Sequence, residues 1–176
     1  MRFIETELSG AYIVELDLLE DERGIFARTF CRQEFDKRGL NSDYVQANIS
    51  VNRQRGTLRG MHYQEAPKAE VKLVQCIKGS LYDVLVDLRP TSETYCRWVG
   101  LELGEGGGRL LYVPEGLAHG FQTLEDDTAV YYMMGEYYAP DYARGVRWND
   151  PAFGIEWPID DPILSEKDRS WPDYRR

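Results

Sequence analysis

Histidine and cysteine are scarce in this sequence: it has two histidines, His62 and His119, and three cysteines, Cys31, Cys76 and Cys96. Two imidazoles cannot build a closed all-histidine metal site, and the cysteines have no ligand spacing. Two histidines plus a carboxylate remain as the one arithmetic possibility for a transition metal, so neither a metal nor another cofactor is expected. An odd, scattered set of thiols argues against a disulfide framework and for a reducing, cytoplasmic setting. No apolar run is long enough to cross a bilayer. The opening MRFIETELSG has acids where a secretory signal needs an apolar stretch. Positive charge is also short, with 21 Lys and Arg against 30 Asp and Glu, a net charge of −9. That balance disfavours nucleic acid or an acidic membrane as partner. GEGGG at 104–108 lacks the strand–glycine–helix context of a phosphate loop, and no G-K-S/T follows it. There is no G-x-S-x-G elbow for serine hydrolase chemistry.

What is present reads as strands. LYDVLVDL (81–88) mixes alternation with β-branched residues. Segments 71–77, 95–103, 109–114 and 128–134 are short, apolar or aromatic, and bounded by turn residues, as are 11–19 and 24–30. Turns are signalled at Lys78-Gly79-Ser80, Arg89-Pro90, Gly104 to Gly108 and Asn149-Asp150-Pro151. Two short helices are expected: 33–38 closed by Gly39, and one opened by the capping box Ser165-Glu166-Lys167-Asp168. No linker, repeat or composition break divides residues 1–176, which predicts a single domain. The strands lie too close together for βαβ crossovers. The expected fold is all-β, a jelly roll with short peripheral helices.

The chemistry centres on the histidines. Each lies beside a glycine, in RGMHYQ and GLAHGF. Position 64, where an H-x-H metal pair would carry its second imidazole, is Gln64. Metal-free acid–base chemistry therefore fits best. An imidazole can take a proton from carbon beside a carbonyl only if a cation or donor holds the enolate oxygen, and Lys72, Arg59 and His119 are candidates. A phenol can return the proton, and TAVYYMMGEYYAP offers Tyr131, Tyr132, Tyr137 and Tyr138. Arg53, Arg55, Arg59, Lys68 and Lys72 put local positive charge into an acidic chain, either as an anion site or as a solvated strand edge.

The stretches DERGIFAR, QANIS, GTLRGMHYQ, KLVQCIKGSLYDVLVDLR, VPEGLAHGF, VYY followed by YYAP, WNDPAFGIEWP and LSEKD occur in this order along nearly the whole chain. Together they resemble the dTDP-4-dehydrorhamnose 3,5-epimerase family of nucleotide-sugar enzymes. Segments 56–79 and 108–123 also look like two degraded cupin motifs, so the resemblance implies a cupin-type jelly roll. It implies inversion of C3 and C5 of a nucleotide-linked 4-keto-6-deoxyhexose, both carbons being acidified by one C4 ketone. It assigns His62 as base, Asp168 as its partner, Tyr132 as proton donor from the opposite face, and Lys72 as the group at the C4 oxygen. Arg23 and Arg59 would bind the diphosphate, with Gln46 and Asn48 nearby. Phe26, Arg28, His119, Tyr138 and Lys167 complete the implied substrate site. A homodimer is the implied assembly.

Two positions depart from the family pattern, which carries glutamates where this chain has Arg28 and Ala143. An arginine only donates hydrogen bonds. Facing the base, it would suit N3 of cytosine better than the N3–H of thymine, so CDP stands beside dTDP as a possible nucleotide. A single-site 3- or 5-epimerase, a keto-isomerase on the same scaffold, and a non-catalytic sugar-nucleotide-binding module remain alternatives. A metal-dependent oxygenase is opposed by the missing ligands.

Overall fold

Short apolar runs separated by tight turns assemble here into two facing antiparallel sheets. The structure, a computed structural model, describes residues 1–175. Its elements are β1 (Arg2–Glu5), β2 (Tyr12–Glu15), β3 (Leu19–Asp21), β4 (Gly24–Phe26), α1 (Arg32–Asp36), β5 (Gln46–Asn52), β6 (Leu58–Gln64), β7 (Lys72–Lys78), β8 (Ser80–Asp87), β9 (Trp98–Gly104), β10 (Arg109–Val113), β11 (Leu117–Thr123), β12 (Thr128–Met134), β13 (Ala143–Gly145) and α2 (Glu166–Arg169). One sheet runs β1-β2-β10-β7-β12-β5 and the other β13-β6-β11-β8-β9, while β3 and β4 form a separate hairpin. This is the all-β, cupin-like jelly roll with short helices that the strand signals and the resemblance predict.

Three layers of burial hold it. Between the sheets lie Val74, Leu85, Leu111, Phe121 and Val130. The C-terminal segment covers the outer face of the five-stranded sheet, packing Phe153 and Trp157 on Met61, Val84 and Val86. That cover explains why β8 reads as a near-continuous apolar run: residues of both its faces are buried. Helix α1 covers part of the other sheet, with Phe35 fully buried against Val14, Leu73 and Tyr112. Its end follows from Gly39 at φ +68, a conformation glycine adopts without a Cβ clash. The Leu40 N–H then reaches the Phe35 carbonyl and the Gly39 N–H the Asp36 carbonyl, at 3.1 and 3.0 Å, the paired bonds of a Schellman stop.

The expected strands at 11–19 and 24–30 are shorter than their apolar patterns suggest. Regular pairing on the main sheet ends at Glu15, and the rest of the first run turns into the β3–β4 hairpin. There Leu19, Ile25 and Phe26 are exposed, Phe26 at 69%. Strand β9 likewise starts at Trp98, because Cys96 takes φ +61 to return its N–H to the Asp87 carbonyl.

Candidate active site

The two histidines stand directly opposite each other on neighbouring strands, His62 on β6 and His119 on β11. One step further, Arg59 pairs with Phe121. Three residues of β6 therefore span two of β11, which is a β-bulge. In a regular strand, residues three apart point to opposite faces. The bulge corrects the phase, and Arg59 and His62 line the same cavity. Gly60 makes this possible. It sits at φ +137, and a Cβ there would lie 2.5 Å from the Gly120 Cα.

The opposite wall comes from the six-stranded sheet. Lys72 on β7, Tyr132 on β12 and Ser50 on β5 enter the same cavity of about 390 Å³, where Asp168 from α2 also lies. A second lobe of about 340 Å³ shares His62, Lys72 and Tyr132 and continues to Gln46, Asn48, Tyr138 and Lys167. Ten of the residues singled out from sequence thus share one cleft between the sheets. Arg23, Phe26 and Arg28 do not line it: the first two border a shallow hollow on the exposed hairpin, and Arg28 is an exposed residue just beyond it. Arg23 is paired to Asp21 at 2.5 Å. Ala143 lines the second lobe.

Each charged group in the cleft has a partner that fixes it. His62 Nε2 lies 2.6 Å from Asp168 Oδ1, so Nδ1 is the ring nitrogen left for other work. Burial alone would raise the Asp168 carboxyl. The hydrogen bond and charge of His62, with help from Ser165 and the Gly60 N–H, outweigh it and hold the carboxyl below its ordinary value. The Asp168 N–H donates to Ser165 Oγ at 3.1 Å, so Ser165 caps α2 and the carboxylate is free to serve the histidine. His119 Nε2 lies 2.6 Å from Asp83 Oδ1. Arg59 Nε donates to Asn52 Oδ1 at 2.7 Å, leaving its terminal nitrogens unengaged by that bond. Lys72 Nζ is 2.9 Å from Glu70 Oε1 and donates to the His62 carbonyl at 3.3 Å. Burial pushes the Tyr132 phenol up, with Glu70 adding to the effect and Arg59 opposing it, so it holds its proton well into the alkaline range.

Asp83, Asn52 and Glu70 were not singled out from the sequence. Asp83 had a signal: a carboxylate inside the apolar run LYDVLVDL needs a buried partner. Gln64, in the place of an H-x-H ligand, is used for structure. Its amide donates to the Lys68 carbonyl and accepts from the Ala139 N–H, at 2.9 and 2.7 Å. Among the described residues, no three His, Cys, Asp or Glu side chains converge as a metal site would require.

A protein-family model described as dTDP-4-dehydrorhamnose 3,5-epimerase matches residues 5–176. A dTDP-4-dehydrorhamnose 3,5-epimerase of Methanothermobacter thermautotrophicus is 46% identical over 177 residues, covering 99% of this chain and 95% of that protein. A crystal structure of the Bacillus anthracis dTDP-4-dehydrorhamnose 3,5-epimerase, with TDP and PPi bound, superposes with a TM-score of 0.95 at 43% identity, covering 98% of this chain and 99% of the other. A 3'-monoepimerase from Streptomyces bikiniensis, solved with dTDP-quinovose, gives a TM-score of 0.90 at 34% identity, covering 96% and 85%.

Proposed function

This chain belongs to the dTDP-4-dehydrorhamnose 3,5-epimerase family, and from that premise we propose how its cleft works. It is an isomerase of deoxysugar biosynthesis that epimerises a dTDP-linked 4-keto-6-deoxyhexose. Nδ1 of His62 takes the proton from a carbon flanking the C4 ketone, and the electron pair moves onto the C4 oxygen as an enolate. Asp168 stabilises the imidazolium that forms. Lys72 meets the charge that develops on the oxygen. Tyr132 delivers a proton to the opposite face of the same carbon, which inverts it. The observation that carries this reading is the placement of base and acid: His62 projects from one sheet and Tyr132 from the other into one cleft, with Lys72 beside them. A ring held between them presents opposite faces to the two.

The remaining groups sort by place. Arg59, held by Asn52, offers its terminal nitrogens to the diphosphate from the first lobe, while Gln46 and Asn48 lie in the second. His119, braced by Asp83, contacts the sugar. Tyr138 and Lys167 serve the nucleoside. The reaction uses no metal: side chains of the cleft make each proton transfer in it. Arg23, Phe26 and Arg28 join the site from a second copy in a homodimer, a reading supported by the exposed apolar residues of their hairpin. Free cysteines suit a cytoplasmic enzyme.

The test is product analysis by NMR after incubation with dTDP-4-keto-6-deoxyglucose. Inversion at C3 and C5 is expected. Inversion at one carbon makes the chain a single-site epimerase, and an unchanged substrate overturns the reading. Competition between dTDP and CDP for the cleft is expected to favour dTDP; a preference for CDP would return Arg28 to the base-recognition role its donors suit.

A further inference from the structure

We infer that Glu70 is the positioning residue for Lys72, fixing where the ammonium points during the reaction. The inference rests on the reading of Lys72 as the group that meets the C4 oxygen. Glu70 lies just before β7, and its side chain and that of Lys72 are only 5% and 9% exposed. Oε1 makes the 2.9 Å contact with Nζ. Oε2 is sealed from solvent and has no hydrogen-bond partner. A buried carboxylate with one partner is a poor way to stabilise a fold, since its desolvation can exceed the attraction it gains. Glu70 borders the second lobe of the cleft, but its spare oxygen is the sealed one and the other is engaged by Lys72. Glu70 therefore acts on the chemistry through Lys72.

The donor count shows how. An ammonium has three hydrogens on a freely rotating terminus. In Lys72 one faces Glu70 and a second the His62 carbonyl. Two fixed acceptors set the direction of the third, and Lys72 lines both lobes of the cleft. The second acceptor is the carbonyl of the base's own residue, so Lys72 and His62 are held in register. Without Glu70, a lysine on a flexible four-carbon stem has one anchor and several orientations. The developing oxyanion then meets a donor that must reorganise, and most of the advantage of a preorganised donor is lost.

Steady-state kinetics of Glu70→Gln, Lys72→Met and the double variant test this, with dTDP binding by calorimetry as the check on an intact cleft. Glu70→Gln is expected to lower kcat by about 10- to 100-fold while KM and dTDP affinity stay within about threefold, because the contact matters at the transition state. Lys72→Met is expected to lower kcat by about 10²- to 10³-fold, and the double variant to match Lys72→Met alone. A Glu70→Gln enzyme with kcat near wild type overturns the inference, as does a double variant whose loss is the product of the two single losses. A Glu70→Gln protein that no longer binds dTDP assigns Glu70 to the fold and also overturns it. If Lys72→Met keeps wild-type kcat, the reading of Lys72 itself fails, which is a separate result.

Discussion

Asp168 has two roles open to it before the fold is known, a helix cap from its spacing and the partner of His62 from the family resemblance. S-x-x-D caps a helix, and an aspartate near a histidine orients it. The structure divides the work between atoms: the Asp168 backbone N–H goes to Ser165, and its carboxylate goes to His62. Asp168→Asn keeps the backbone donor and nearly the same shape, so the cap survives. An amide does not stabilise an imidazolium as a carboxylate does. The variant is expected to lose roughly 10²-fold or more in kcat with a thermal midpoint close to wild type. A fully active Asp168→Asn enzyme would remove Asp168 from the chemistry. At this scale the sequence offered candidates with their own reactive chemistry, such as His62 and Lys72, while the family resemblance singled out Tyr132 from four tyrosines. The sequence was silent on Glu70 and Asn52, and for Asp83 it showed only a carboxylate in need of some buried partner, because the part of each depends on which cation or imidazole the fold places against it.

Among the elements, legibility followed burial. Strands β7, β8, β10 and β12 bury most of their side chains, so their apolar runs stand out. Strands β5 and β6 were not read as strands, because they turn polar groups such as Gln46, Asn48, Arg59 and His62 into the cleft and their alternation lacks contrast. Strand β11 carries His119 and Gly120 inside a wholly buried run, and it too was not among the expected strands. The bulge on β6 has no signature beyond Gly60 itself. Gly60→Ala would set a Cβ against backbone at Gly120, where no side chain can yield. It is expected to cost about 1–3 kcal/mol in chemical denaturation and to abolish most activity by misaligning Arg59 and His62. Wild-type activity in Gly60→Ala would show that the bulge does not set the site.

The end of β8 makes a second prediction. Burial alone would raise the Asp87 carboxyl, but Arg89, Ser92 and Thr94 donate to it and bring it from 3.8 to about 2. A carboxyl depressed in the folded state stabilises fully above the unfolded value near 4 and loses that contribution as pH falls towards 2. The effect is about 2 kcal/mol. The stability gap between wild type and Asp87→Asn is expected to narrow by about that much between pH 7 and pH 2. A gap independent of pH would contradict this account of the 89–97 loop.

On the scale of the molecule, the hairpin that carries the candidates Arg23 and Phe26 shares a property with one stretch of sheet. Leu19, Ile25 and Phe26 on the hairpin are exposed, and so are Ile49 and Val51 on the open edge strand β5, with Tyr131 on β12 beside it. The homodimer proposed above has a second copy cover this surface and Arg23 of one chain join the cleft of the other. Sedimentation at micromolar concentration is expected to give twice the chain mass, and the mass of one chain would leave the hairpin residues without their proposed role. Sequence alone could not show this, because an apolar residue in a short strand reads the same whether its own core or a partner covers it.

The central claim is that the free nitrogen of His62 removes hydrogen from carbon beside the C4 ketone. The most direct measurement is deuterium uptake into dTDP-4-keto-6-deoxyglucose in D₂O, followed by NMR for wild type and His62→Ala in the presence of a chelator. Wild type is expected to label a carbon flanking the ketone at full rate despite the chelator, and His62→Ala to label neither while still binding dTDP. Labelling by His62→Ala at the wild-type rate would contradict the account.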